Sequence, residues 1–138
     1  MRIILLLAVM GFIAVASFIV GQQAQPAALV RKSLLAADIN PAKATSRLEV
    51  WQIDFAPLQQ TGTHEHPIPV VGYLAQGEIT FQIEGQPPKT LHAGDACLEP
   101  AHVKILHFDN ASSTEQATYI AFYLMGDGDH DLIHMLNE

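Results

Sequence analysis

From Thr61 onward the chain is punctuated at short, regular intervals, and this rhythm constrains the fold more than any other feature. Apolar runs at Val70–Leu74, Glu78–Ile83, Thr90–Leu91, Ala96–Leu98, Val103–Phe108 and Thr118–Leu124 alternate with breakers: Gln76-Gly77, Gly85-Gln86-Pro87-Pro88, Gly94-Asp95, Pro100 and Asn110-Ala111-Ser112-Ser113. Glycine admits positive φ and proline removes a backbone donor, so each cluster ends a run, and the runs are too short for stable helices. Strands separated by a turn about every 8–12 residues indicate a β-sandwich or barrel. Upstream, Leu48–Phe55 places Trp51, Ile53 and Phe55 on one face, as in a half-buried strand. Leu29–Leu35 is also strand-like, and Ala36–Ser46 reads as loop. No helical period and no internal repeat follows the first two dozen residues. The expected fold class is all-β, a jelly-roll barrel.

The first two dozen residues are of another kind. Ile3 to Val20 carries no charge and is broken only by Gly11 and Ser17. A helix rising about 1.5 Å per residue would nearly cross a hydrocarbon core of roughly 30 Å over that length. Residues 1–24 are therefore expected to be an N-terminal hydrophobic helix, either a signal peptide or a membrane anchor through residues 3–20, which directs the rest to a periplasmic or other extracytoplasmic location. Residues 25–47 read as linker and N-terminal strand region, and residues 48–138 as the barrel domain.

Charge and cysteine content narrow the partners. Fourteen acidic residues against seven basic give a net charge of −7, and Arg31-Lys32 is the largest basic cluster. Phosphate backbones are held by basic surfaces, so nucleic acid is excluded as a partner. Cys97 is the single cysteine. It lies in the apolar run Ala96-Cys97-Leu98 and reads as a buried, inert thiol. The acidic tail Asp127-Gly128-Asp129-His130-Asp131 has Leu132 where a calcium loop needs glycine, so it reads as a solvated turn leading into a short strand, Asp131–Leu136.

The chemistry resides in the histidines, of which there are seven. In His64-Glu65-His66 the two imidazoles are two residues apart, and on a strand they share a face where both could meet one metal ion. The run Gly62-Thr63-His64-Glu65-His66-Pro67 through Tyr73 to Gly77 resembles the first motif of the cupin superfamily. Gly94-Asp95-Ala96-Cys97-Leu98-Glu99-Pro100-Ala101-His102, continuing to Asn110, resembles the second. Together the motifs span about residues 64–124. The resemblance implies a single small jelly-roll barrel, a double-stranded β-helix, with any metal inside it.

The same resemblance exposes departures. The family's glutamate ligand falls at Val70 and its second-motif histidine at Ile105, so His64 and His66 are the two matching ligands. His107 lies two residues beyond Ile105 and, in an uninterrupted strand, would face the same way as a third imidazole. Val70, Gly72, Tyr73, His102 and Ile105 are expected to border the pocket, and Glu99 to stand exposed near the barrel mouth. Two imidazoles and water would hold one divalent transition metal (Fe, Mn, Ni or Zn) only weakly. The leading expectation is a barrel that binds a small-molecule ligand. The alternatives are a metal-dependent dioxygenase, isomerase or decarboxylase, as the resemblance implies, and a metal-free module that forms a homodimer.

Overall fold

The structure, a computed structural model, describes residues 27–136. The uncharged run Ile3–Val20, with its expected helix and membrane role, lies outside the described residues. The chain divides between Arg31 and Lys32, and the barrel belongs to the second unit, Lys32–Glu138.

Nine strands follow one another: β1 (Arg47–Phe55), β2 (His64–Glu65), β3 (Val70–Gln76), β4 (Glu78–Ile83), β5 (Lys89–His92), β6 (Ala96–Glu99), β7 (Ile105–Asn110), β8 (Ala117–Met125) and β9 (His134–Met135). They form two antiparallel sheets, ordered β1-β8-β3-β6 and β5-β4-β7-β2-β9. The chain switches sheets at Gly77, whose φ is +81°; a Cβ there would lie 2.7 Å from the Gln116 carbonyl oxygen, so only glycine fits this corner. This is the all-β jelly roll that the punctuation predicts, and among the described residues there is no helix.

Alternation decides what enters the core. In β8, Ala117, Tyr119, Ala121, Tyr123 and Met125 are all buried while the residues between them are partly exposed. Phe81, Phe108, Ile79 and Leu91 meet them from the second sheet. At about 25 cal/mol per Å² of apolar area, this shared interior is the main force closing the sheets face to face. In β1 the inward face fades toward the strand's start: Phe55 is buried, Ile53 packs on the core and Trp51 is half exposed.

Two expectations fail locally. Leu29–Leu35 forms no strand; its residues are exposed and pair with no ladder among the described residues. In β7 the ladder with β4 slips: Gln82 pairs with His107 but Ile83 pairs with Ile105, leaving Leu106 unmatched. This bulge breaks the period of two, so Ile105 and Phe108 both point inward and His107 points out.

Candidate metal centre

The inner faces of β2 and β6 meet across the barrel. His64 and His66 enter from β2 and the residue after it, and Glu99 enters from the end of β6; each is only 3% exposed. His66 Nε2 lies 3.2 Å and His64 Nε2 3.7 Å from the same oxygen, Glu99 Oε2. One ligand atom from each residue falls within 4.8 Å of the other two. An ion with bonds of about 2.1 Å holds neighbouring donors about 3.0–3.4 Å apart, so the cluster needs only a small contraction to grip one.

The outward nitrogens of both rings are committed. His64 Nδ1–H donates to the Gly62 carbonyl at 2.9 Å, and His66 Nδ1–H donates to the Leu132 carbonyl at 2.6 Å. Carbonyl oxygens only accept, so Nδ1 carries the proton in each ring and Nε2 faces the carboxylate. Two lone pairs and a carboxylate oxygen therefore converge, and a cation must lie among them, either a proton or a metal ion. The titration behaviour has the same origin. Burial alone would raise the Glu99 carboxyl, but the neighbouring His64 and His66 rings, once protonated, pull it down to about 2. Burial alone would lower His66, but the Glu99 hydrogen bond and charge, with the Leu132 carbonyl, hold it above its ordinary value.

Behind the carboxylate stand Tyr119 and Cys97. Tyr119 Oη donates to Glu99 Oε1 at 3.0 Å, and Cys97 Sγ lies 3.2 Å from Tyr119 Oη. Burial, then the charge of Glu99, pushes the thiol up to about 12, in keeping with an inert cysteine. A cavity of about 50 Å³ opens over the three donors, bordered by Ile53, Thr61, Phe108, Tyr119, Tyr123 and Ile133.

The pocket residues expected from sequence divide by strand parity. Val70, Gly72 and Ile105 point inward: Val70 is the ladder partner of Glu99, and Ile105 is the partner of His64. Tyr73 alternates with them and lies on the outer side of the sheet, half-buried between Ala96 and Ile120; the inward phenols are Tyr119 and Tyr123. His102 touches the site through its backbone, its N–H donating to the His66 carbonyl at 2.8 Å. Its side chain borders a separate cleft of about 280 Å³ with Pro41, Pro67 and Pro100. His107 is not brought to His64 and His66; it is exposed and bonds Asp109 Oδ2 at 2.8 Å. Glu99, expected at the surface, is instead the third donor. The signal for it was in β6, because an inward Cys97 requires an inward residue two positions on. Asn110, the last residue of the second motif, is structural: its Nδ2 donates to the Ala56 and Glu115 carbonyls.

Two facing antiparallel sheets that enclose convergent imidazole and carboxylate donors define a jelly-roll barrel of the double-stranded β-helix class. The profile of the family described as Cupin domain matches residues 51–123, and the chain belongs to that family. Among solved structures it is similar to a cupin-like protein from Thermotoga maritima, with 24% identity and a TM-score of 0.55 over 64% of each chain. It is similar also to the DMSP lyase DddQ from Ruegeria pomeroyi, with 20% identity and a TM-score of 0.55, covering 64% of this chain and 42% of that one. An oxalate oxidase in complex with the substrate analogue glycolate matches at 21% identity and TM-score 0.54, with coverages of 64% and 46%. The chain thus spans less than two thirds of the length of each. These likenesses concern the fold. No curated protein matches the chain.

Proposed function

We propose that this cupin binds one divalent transition-metal ion through His64 Nε2, His66 Nε2 and Glu99 Oε2, and presents it to a small ligand in the barrel. The observation that carries the reading is the convergence of three buried acceptors whose tautomers are set by backbone carbonyls, an arrangement that calls for a cation. Expecting a weakly held ion rested on two imidazoles alone; Glu99 as third donor removes that basis. Two histidines and one carboxylate are the set that non-haem Fe(II) oxygenases use, so Fe(II) is the first candidate, ahead of Mn, Ni and Zn. A bound ion would supply a Lewis acid with open positions. Around it, Phe108, Ile53 and Ile133 exclude bulk water, and a volume of about 50 Å³ suits a ligand no larger than about one or two water molecules.

Metal content of the full chain, purified without an affinity tag and titrated with Fe(II), Mn(II), Ni(II) and Zn(II), tests the reading. One equivalent is expected in the parent and none in His64→Ala, His66→Ala or Glu99→Gln. Uptake unchanged in those variants overturns it. The enzymatic alternative, a dioxygenase, isomerase or decarboxylase, draws on neighbours that are a lyase and an oxidase; turnover that depends on the same three residues would support it.

The uncharged run from Ile3 to Val20 supports export or membrane attachment of the domain. Fractionation checks this, and intact protein free in the cytosol defeats it. A homodimer is favoured by β1, an edge strand whose outer face exposes Leu48 and Val50. Light scattering should report a dimer that Val50→Lys dissociates; a monomeric parent rules the dimer out.

A further inference from the structure

Tyr119 reaches Glu99 across a bare stretch of sheet. Its backbone pairs with Leu74 and Ile53, but its hydroxyl extends over the neighbouring inward row of Cys97, Gly72 and Ala121. A Cβ on Gly72 would lie 1.7 Å from Tyr119 Oη and 1.8 Å from Cζ, so a missing side chain is what admits the phenol. A phenol, with an ordinary value of about 10, carries its proton at neutral pH. An ionised carboxylate can only accept; the O–H therefore goes to Glu99 Oε1 at 3.0 Å, leaving Cys97 S–H to donate to the phenol oxygen. The two oxygens of Glu99 have different partners as a result. Oε1 is taken by Tyr119, and Oε2 faces both imidazoles.

We infer that Tyr119 is a positioning residue that makes Glu99 a one-oxygen metal ligand, with Gly72 providing the space for it. The inference rests on the metal centre proposed above. Chelation through both oxygens would consume a further coordination position beside the two histidines. Occupying Oε1 with a charge-assisted hydrogen bond keeps that position for the ligand in the cavity. The phenol acts through Glu99, and its removal should alter how the carboxylate binds before it alters whether metal binds.

Infrared difference spectra of the full chain, Zn(II)-loaded minus metal-free, read this directly. A wide separation between the antisymmetric and symmetric carboxylate stretches marks a one-oxygen ligand and a narrow one marks chelation; the metal-induced bands that shift on 13C labelling of glutamate carboxyls belong to Glu99, the one carboxylate among the proposed ligands. The parent should show the wide separation, and Tyr119→Phe at saturating Zn(II) the narrow one. Should Tyr119→Phe not fold, Gly72→Ala, whose methyl displaces the hydroxyl, takes its place with the same expectation. A narrow separation in the parent overturns the inference, as does a wide one retained in the variant. A parent that takes up no Zn(II) overturns the metal centre itself, and metal content reports that outcome separately.

Discussion

The barrel holds the same chemical pair at two depths. His107 and Asp109 lie 2.8 Å apart on the outside of β7, and His66 and Glu99 lie 3.2 Å apart inside. The shorter pair has the smaller consequence. His107 is about half exposed, so water and salt screen its attraction to Asp109, and such pairs contribute about 0.2–1 kcal/mol. Inside, burial leaves little solvent to share the load, and each partner's charge is sustained by the other. Depth, more than distance, turns a histidine–carboxylate contact into a site.

Removing one partner from each pair should separate the two most sharply. Glu99→Ala is expected to cost about 3–5 kcal/mol in chemical denaturation and to abolish metal uptake, while Asp109→Ala costs less than about 1 kcal/mol. Equal losses would dissolve the distinction. Acidity should reveal the same contrast in the metal-free protein. Glu99, lowered to about 2 from 4.5, contributes stability fully above 4.5 and loses it as pH falls toward 2. His66, raised above 6.5, contributes fully below 6.5 and loses its share as pH climbs through the folded value. Urea midpoints should therefore be greatest between these limits, and Glu99→Gln should flatten both shoulders. A profile unchanged by Glu99→Gln would place the titration elsewhere.

A subtler experiment moves the inner carboxylate. Val70 and Glu99 are direct ladder partners, so Val70→Glu combined with Glu99→Val transfers the carboxylate one strand over, to the position where the family's motif places it. Titration should still find one equivalent of metal, bound more weakly because Tyr119 is aligned to Glu99; complete loss would show that the two positions are not interchangeable. The smallest effect is expected outside. His107→Phe should leave metal content as in the parent and shift stability by less than about 1 kcal/mol. Loss of metal in that variant would bring His107 back as a ligand.

Much of this was legible in the sequence. β4 coincides with the expected run Glu78–Ile83, and β3 and β8 agree within two residues, because breakers and alternation act locally. The site was read where alternation held and missed where it was interrupted or overruled. His64 and His66 share a face as their spacing requires. The β7 bulge has no glycine to announce it, so the parity that carries Ile105 inward does not reach His107. Glu99, expected exposed near the barrel mouth, is buried because Cys97 two residues earlier fixes its direction. Tyr73 and Gly72 cannot both face the pocket, being adjacent in one strand. The phenol that does enter comes from β8, a pairing distant in sequence that no local pattern encodes.

The tautomer of His66 depends on a residue 66 positions further along, since its Nδ1–H has the Leu132 carbonyl as acceptor. Among the described residues, the strand that carries His64 is held by β7 and β9, and Leu136 N–H closes the same seam on the Thr63 carbonyl. The two imidazoles are therefore oriented by a segment, Leu132 to Leu136, that lies far beyond them in sequence. Order at the cluster is thereby distributed along the chain: with the Leu132–Leu136 segment undocked, all three donor residues would be present, yet His66 Nδ1–H would lack its acceptor and β2 one of its two ladder neighbours.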